Sequence, residues 1–309
     1  IQDGIGPTGV TVNGVEVALG SPNDAAGWIY DAATGILSLT NAGPFTLSGA
    51  NAVGRVQVVV ANGVASTVTL SNLTIRAMGD GQCTFALETN AVVSLYLEGI
   101  NTLASGRNRA GLEVAAGRTL SITNAPGDEA GALTATSKDS GAGIGGGANI
   151  GGGTVTINGG IVTATGGEYF AAGIGGGMGG AGGTVSISGG AVTANGGVMG
   201  AGIGSGGYAG VTSGGDGGTV DISGGAVTAN GGDFAAGIGG GDGDAGGTMI
   251  ISGGTVSATG GKYGAGIGGG NNDNNPDGIA GSGGTVTISG GRVTATGGLC
   301  AAGIGGGTG

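Results

Sequence analysis

The stretch GTVTINGGIVTATGGEYFAAGIGGG, residues 153–177, decides the fold. Four more copies follow it: GTVSISGGAVTANGGVMGAGIGSGG (183–207), GTVDISGGAVTANGGDFAAGIGGG (218–241), GTMIISGGTVSATGGKYGAGIGGG (247–270) and GTVTISGGRVTATGGLCAAGIGGG (284–307). The isoleucines that mark the end of each unit, Ile144, Ile174, Ile203, Ile238, Ile267 and Ile304, are separated by 30, 29, 35, 29 and 37 residues. A fixed period of this size is the signature of a solenoid, in which each repeat is one turn of a superhelix stacked on its neighbours.

Within the unit, Gly-Gly pairs separate three short β-like segments, Thr154–Ile157, Val162–Thr165 and Ala172–Ile174. This pattern predicts an all-β fold, a right-handed parallel β-helix with three short strands per coil of about thirty residues. Alternation turns Val155, Ile157, Val162 and Ala164 inward and Thr154, Thr156, Thr163 and Thr165 outward. Equivalent strands then stack at ~4.8 Å and align like side chains into ladders.

Composition supports the reading. Of 309 residues 86 are glycine, 39% are apolar and 9% are charged, without the proline-rich triplet period of collagen. No window carries the 3.6-residue apolar period of a long helix, and no apolar run approaches a membrane span, so membrane insertion is not expected. Ile1-Gln2-Asp3 opens neither a basic region nor an apolar signal core, so any signal peptide would already be gone. A net charge of −11 would be repelled by phosphate backbones, which argues against nucleic acid as a partner. Cys83 and Cys300 are too far apart along a solenoid axis to bridge and are read as buried thiols.

The N-terminal part follows the plan less regularly. Strand-like runs at 65–75, 91–104, 111–123 and 131–136 are separated by Gly, Asn or Asp, and residues 1–60, with Trp28 and Tyr30, are the expected N-terminal β cap. The parallel β-helix is expected over 61–309, with regular repeats from about 131. The chain stops inside a repeat period, which suggests a domain excised from a larger protein; the expected state is a monomer or one part of a longer chain.

The run Ser94-Leu95-Tyr96-Leu97-Glu98-Gly99-Ile100-Asn101-Thr102-Leu103, then Ala110-Gly111-Leu112-Glu113-Val114, then the GTVTISGG, VTATGG and GAGIGGG units, resembles a known family. It is similar to the glycine-rich right-handed β-helix repeat domains of bacterial surface or secreted proteins, some related to polysaccharide-binding β-helix domains. The resemblance covers about residues 65–309. It implies a secreted or cell-surface location; as a marker of activity it says little, because one fold hosts many functions.

The chain has no histidine, which removes Ser-His-Asp triads, Cys-His pairs and His-ligated metals. Catalysis would have to rest on carboxylates, as in glycoside hydrolases, or on basic residues or Ca²⁺, as in polysaccharide lyases. The acids gather in the loops after Gly-Ile-Gly: Asp216, Asp242, Asp244, Asp273 and Asp277. Equivalent loops share one edge, so Asp216, Asp242 and Asp244 are candidate catalytic carboxylates, two of which would need to lie ~5–9 Å apart. Solvated loop acids are the alternative. Asp273, Asn275 and Asp277, with Gly278 in the sixth place, repeat the first half of an EF-hand-type Ca²⁺ loop, although Gly284 stands where its bidentate Glu belongs. A polar Asn-rich turn accounts for the same residues.

Four residues before each marker isoleucine stand Ser140, Phe170, Met199, Phe234, Tyr263 and Cys300, a mostly apolar column that alternation turns inward as core filling. One residue earlier stand Asp139, Tyr169, Val198, Asp233, Lys262 and Leu299, which should face solvent. Tyr169 would stack on a sugar ring while Asp233 and Lys262 bond its hydroxyls, the combination carbohydrate sites use; a cross-coil Asp233–Lys262 ion pair is the competing account. The threonine ladders, broken by Asn195, Asn230 and Asp221, also suit an ice-binding surface. The leading functional expectation is an extracellular polysaccharide-binding or adhesive module. A carbohydrate-active enzyme built on the loop acids and a structural spacer or ice-binding solenoid are the alternatives.

Overall fold

A computed structural model of the chain describes residues 8–18, 26–51, 56–76, 79–208, 215–272 and 280–308. The described residues are all β, with no α-helix, and the parallel strands wind as a right-handed β-helix. In the coil that opens on the quoted stretch, the strands are Thr154–Ile157 on a first face, Ile161–Thr165 on a second and Ile174–Gly175 on a third. Each pairs in parallel, without register shift, with its equivalent one coil on: Val155 with Val185, Val162 with Val192, Ile174 with Ile203.

The inward side chains form the expected ladders. Val155, Ile157, Val162, Ala164 and Ile174 are buried, as are their counterparts through Ile267, and all belong to one continuous apolar core. That core is wide at the N-terminal end, where Phe45, Phe85, Leu70 and Leu95 fill it, and thin in the repeats, where Val, Ile and Ala suffice.

Among the described strands antiparallel pairing is confined to the start of the chain, and one isolated antiparallel bridge, Ala115 with Gly152, lies further on. Val10–Val12 pairs with Val15–Glu16 and with Phe45–Asn51, and Trp28–Asp31 pairs with Ile36–Leu39, burying Trp28 and Tyr30. Parallel stacking already begins at Ile36–Leu39 and Phe45–Asn51, which pair with Gln57–Val60 and Ala65–Arg76. The expected boundary near residue 60 therefore falls inside the stack. The long strand Ala65–Arg76 blurs it, because it crosses from the first face to the second, pairing with Val92–Glu98 and then with Ile100–Ala104.

The third face is two residues wide, Ile-Gly in every repeat, for a steric reason. Gly145, Gly175, Gly204, Gly239, Gly268 and Gly305 all have φ between 131° and 144°, where side chains are rarely found. A β-carbon on Gly204 would overlap the carbonyl oxygen of Gly239 in the next coil. The isoleucine alone supplies packing. Replacing Ile203 by Val is expected to cost about 1 kcal/mol as a lost buried methylene, and Gly204→Ala should cost more, because it strains φ and forces two coils apart. Guanidinium unfolding of the two variants would give that order; equal midpoints would refute it.

Candidate functional site

The corner between the second and third faces carries the side chains that vary most from coil to coil. Backbone hydrogen bonding continues through this turn: the amides of Met199, Phe234, Tyr263 and Leu299 donate to the carbonyls of Tyr169, Val198, Asp233 and Lys262, at 2.6, 3.1, 2.8 and 2.8 Å. The corner residues are thus held one rung per coil, and their side chains form a ridge along the solenoid axis.

Five of the six outer-column residues face solvent as expected, Tyr169 at 50% exposed, Val198 at 36%, and Asp233, Lys262 and Leu299 exposed, while Asp139 is half-buried. The inner column does not fill the core. Phe170, Met199, Phe234 and Tyr263 are only half-buried and Cys300 is exposed, while Ser140 is buried. Alternation fails because the chain leaves the strand at Gly166-Gly167, and the corner of the core is filled instead by Ala171, Ala172, Ala201, Ala235, Ala236 and Ala265.

Adjacent rings meet across and within coils. Phe234 and Tyr263 stack at 5.4 Å with an interplanar angle of 23°, so each ring covers one face of the other. Tyr169 is tilted 43° against Phe170 at 6.0 Å. Lys262 Nζ lies 4.7 Å from the centroid of the Tyr263 ring, a cation–π contact, rather than in an ion pair with Asp233. Tyr263 chiefly, and Asp233 more weakly, raise the Lys262 ammonium above its ordinary value, so it is cationic throughout the neutral range.

Toward the N-terminus the same corner turns ionic. Arg107 Nε lies 3.9 Å from both Asp80 and Asp139, exposed pairs worth little individually. Arg109 instead grips the buried Glu113 with two hydrogen bonds, at 2.6 and 2.8 Å. Glu113 occupies the column that Gly145 fills one coil later.

The loop acids divide. The backbone amide of Asp242 donates to the carbonyl of Met199, at 2.9 Å, which places Asp242 beside the ridge in the column of Met178, Gly207, Asn271 and Thr308. This neighbourhood is invisible in the sequence, since it depends on how the loop folds back across a coil. Asp242 and Asp244 are 3% and 1% exposed, however, so a polymer on the surface touches neither carboxylate directly. Asp216 is exposed, and its carbonyl accepts from Gly182 in a different column, that of Ala181 and Ala245. Asp273, Asn275 and Asp277 lie outside the described residues.

The thiols also differ. Cys83 is buried and its pKa is pushed up to about 12, first by burial and then by the charge of Glu113. Cys300, expected to be buried, is exposed on the ridge. An aromatic disulfide reagent at mildly alkaline pH should therefore titrate one thiol in the native protein and two after denaturation; rapid labelling of Cys83 without unfolding would contradict this environment.

These features define a repeat β-helix with a variable, solvent-facing ridge on an otherwise uniform scaffold. Five stretches, 155–178, 185–207, 220–242, 250–271 and 286–308, match the family model of the beta helix repeat, and each begins on the first-face strand and ends in the loop after the third. No curated protein and no solved structure matches the chain.

Proposed function

We propose that the chain is an extracellular module that binds polysaccharide on the ridge formed by Tyr169, Phe170, Val198, Met199, Phe234 and Tyr263. The observation that carries this reading is an exposed aromatic, Tyr169, at one end of a half-buried apolar strip, with Asp233 and Lys262 beside the strip to bond hydroxyls. Aromatic surface flanked by a few polar groups is what a sugar ring, apolar on its C–H faces and polar at its rim, requires. A net charge of −11 disfavours polyanions, so neutral glycans fit best. Burial of Asp242 and Asp244 leaves Asp216 as the one exposed acid of the three candidate catalytic carboxylates, which supports binding over hydrolysis, because a glycosidase needs two carboxyls that reach the bond.

A glycan array combined with a reducing-sugar assay on plant, mucin and microbial polysaccharides, with and without Ca²⁺, tests the reading. Binding without sugar release is expected, weakened about tenfold in Tyr169→Ala if one aromatic contact is lost. Release of sugars that disappears in Asp242→Asn would overturn it in favour of an enzyme.

A further inference from the structure

The ridge side chains best placed to contact a sugar stand on different coils. Tyr169 is bonded through the backbone to the coil of Met199, Val198 to the coil of Phe234, and Asp233 to the coil of Tyr263. Three rungs thus separate Tyr169 from Lys262, ~14 Å at the ~4.8 Å spacing of stacked strands. One monosaccharide spans neither that distance nor the gap between Tyr169 and Asp233. Only a ligand extended along the axis engages all three.

One flank favours the same direction. On one side runs the last outward column of the second face, Thr165, Asn195, Asn230, Thr259 and Thr296, stacked in register, with Asn230 Nδ2 donating to Asn195 Oδ1 at 2.8 Å. This is an uncharged row of hydroxyls and amides. On the other side the half-buried Thr308 donates its hydroxyl to the buried Asn271 amide oxygen at 2.9 Å, so that side offers a ligand little. A chain laid along the axis keeps its apolar edge over Phe170, Met199, Phe234 and Tyr263 and its hydroxyls toward the Thr/Asn row. A chain laid across the axis leaves the apolar strip within one ring.

Resting on the polysaccharide reading, we infer that the ligand is a linear, neutral glycan in extended form lying parallel to the solenoid axis. The minimal full ligand is about three or four rings, set by the ~14 Å span. Stacking takes place on Tyr169, the most exposed aromatic of the ridge; Phe234 and Tyr263, half-buried and stacked on each other, serve as an apolar floor. Contacts repeated at each rung act as linked weak sites, so affinity grows with ligand length until the ridge is covered.

The experiment is calorimetric titration of the whole chain with cello-, xylo- and chito-oligosaccharides of graded length, at low and high salt. For the series that binds, tetramers should bind at least about tenfold more tightly than dimers, with no gain once the ridge is covered and no loss at high salt. Val198→Asp, a charge placed at the middle of the ridge on an exposed side chain, should reduce tetramer affinity at least about tenfold. Affinity independent of length but lost in Tyr169→Ala would overturn the axial placement and leave polysaccharide binding standing. Affinity that collapses with salt would overturn the neutral class, and failure of every series to bind at any length would overturn both.

Discussion

Every coil must lie within hydrogen-bonding distance of the next along its whole perimeter, and the third face meets this constraint by giving up side chains. Gly202 and Gly204 flank Ile203; a β-carbon on Gly202 would come within 2.6 Å of the Gly237 carbonyl and the Asn230 amide nitrogen, and one on Gly204 would overlap Gly239. The face is therefore nearly bare backbone around one inward isoleucine, and it has no chemistry to offer a ligand. Outward side chains are left to the corners and to the two faces whose strands keep them. Where the constraint relaxes, as at Glu113 in an N-terminal coil, a charged side chain enters the glycine column and brings its own partner, Arg109.

The taper of the core follows from the same geometry. Coils without the tight Gly-Ile-Gly face enclose more volume, and Phe45, Phe85 and a run of leucines occupy it. Once the repeat is established the coil narrows to Val, Ile and Ala, whose β-branched or minimal side chains lose little entropy on a pleated surface. The antiparallel strands near the N-terminus bury Trp28 and Tyr30 and cover the wide end of the stack.

The strands and their inward residues were legible because period-two alternation is strict between Gly-Gly breaks: Thr154–Ile157 was read to the residue, and Ile161–Thr165 differs by one. Alternation carries no information through a turn. That is why Phe170, Met199, Phe234 and Tyr263 were expected in the core and lie half-exposed on the corner, and why Cys300 lies on the surface. The solvent exposure of Tyr169, Asp233 and Lys262 was readable from their place beside that column, but their separation by whole rungs, and the seat of Asp242 against Met199, depend on contacts between coils. Threonine ladders illustrate the point from the other side. Asn195, Asn230 and Asp221 interrupt the repeat as text, yet Thr134, Thr163, Thr193, Thr228, Ser257 and Thr294 stack as an unbroken hydroxyl column beside them.

A solenoid turns repetition in sequence into repetition in space, and this changes what counts as a site. A globular domain concentrates its contacts in a cavity, where a few groups act on one small ligand. Here the framework fixes a rung every coil and varies chiefly the corner residues, so the natural counterpart is a ligand with a repeat of its own. Each rung then contributes little, and the sum depends on how many rungs the ligand reaches. On such a surface a binding site need not be a deep pocket, and burial of Asp242 and Asp244 is no loss. Their loop packs behind the ridge, where it supports the corner turns through bonds such as Asp242 to Met199 and leaves the outward side chains exposed.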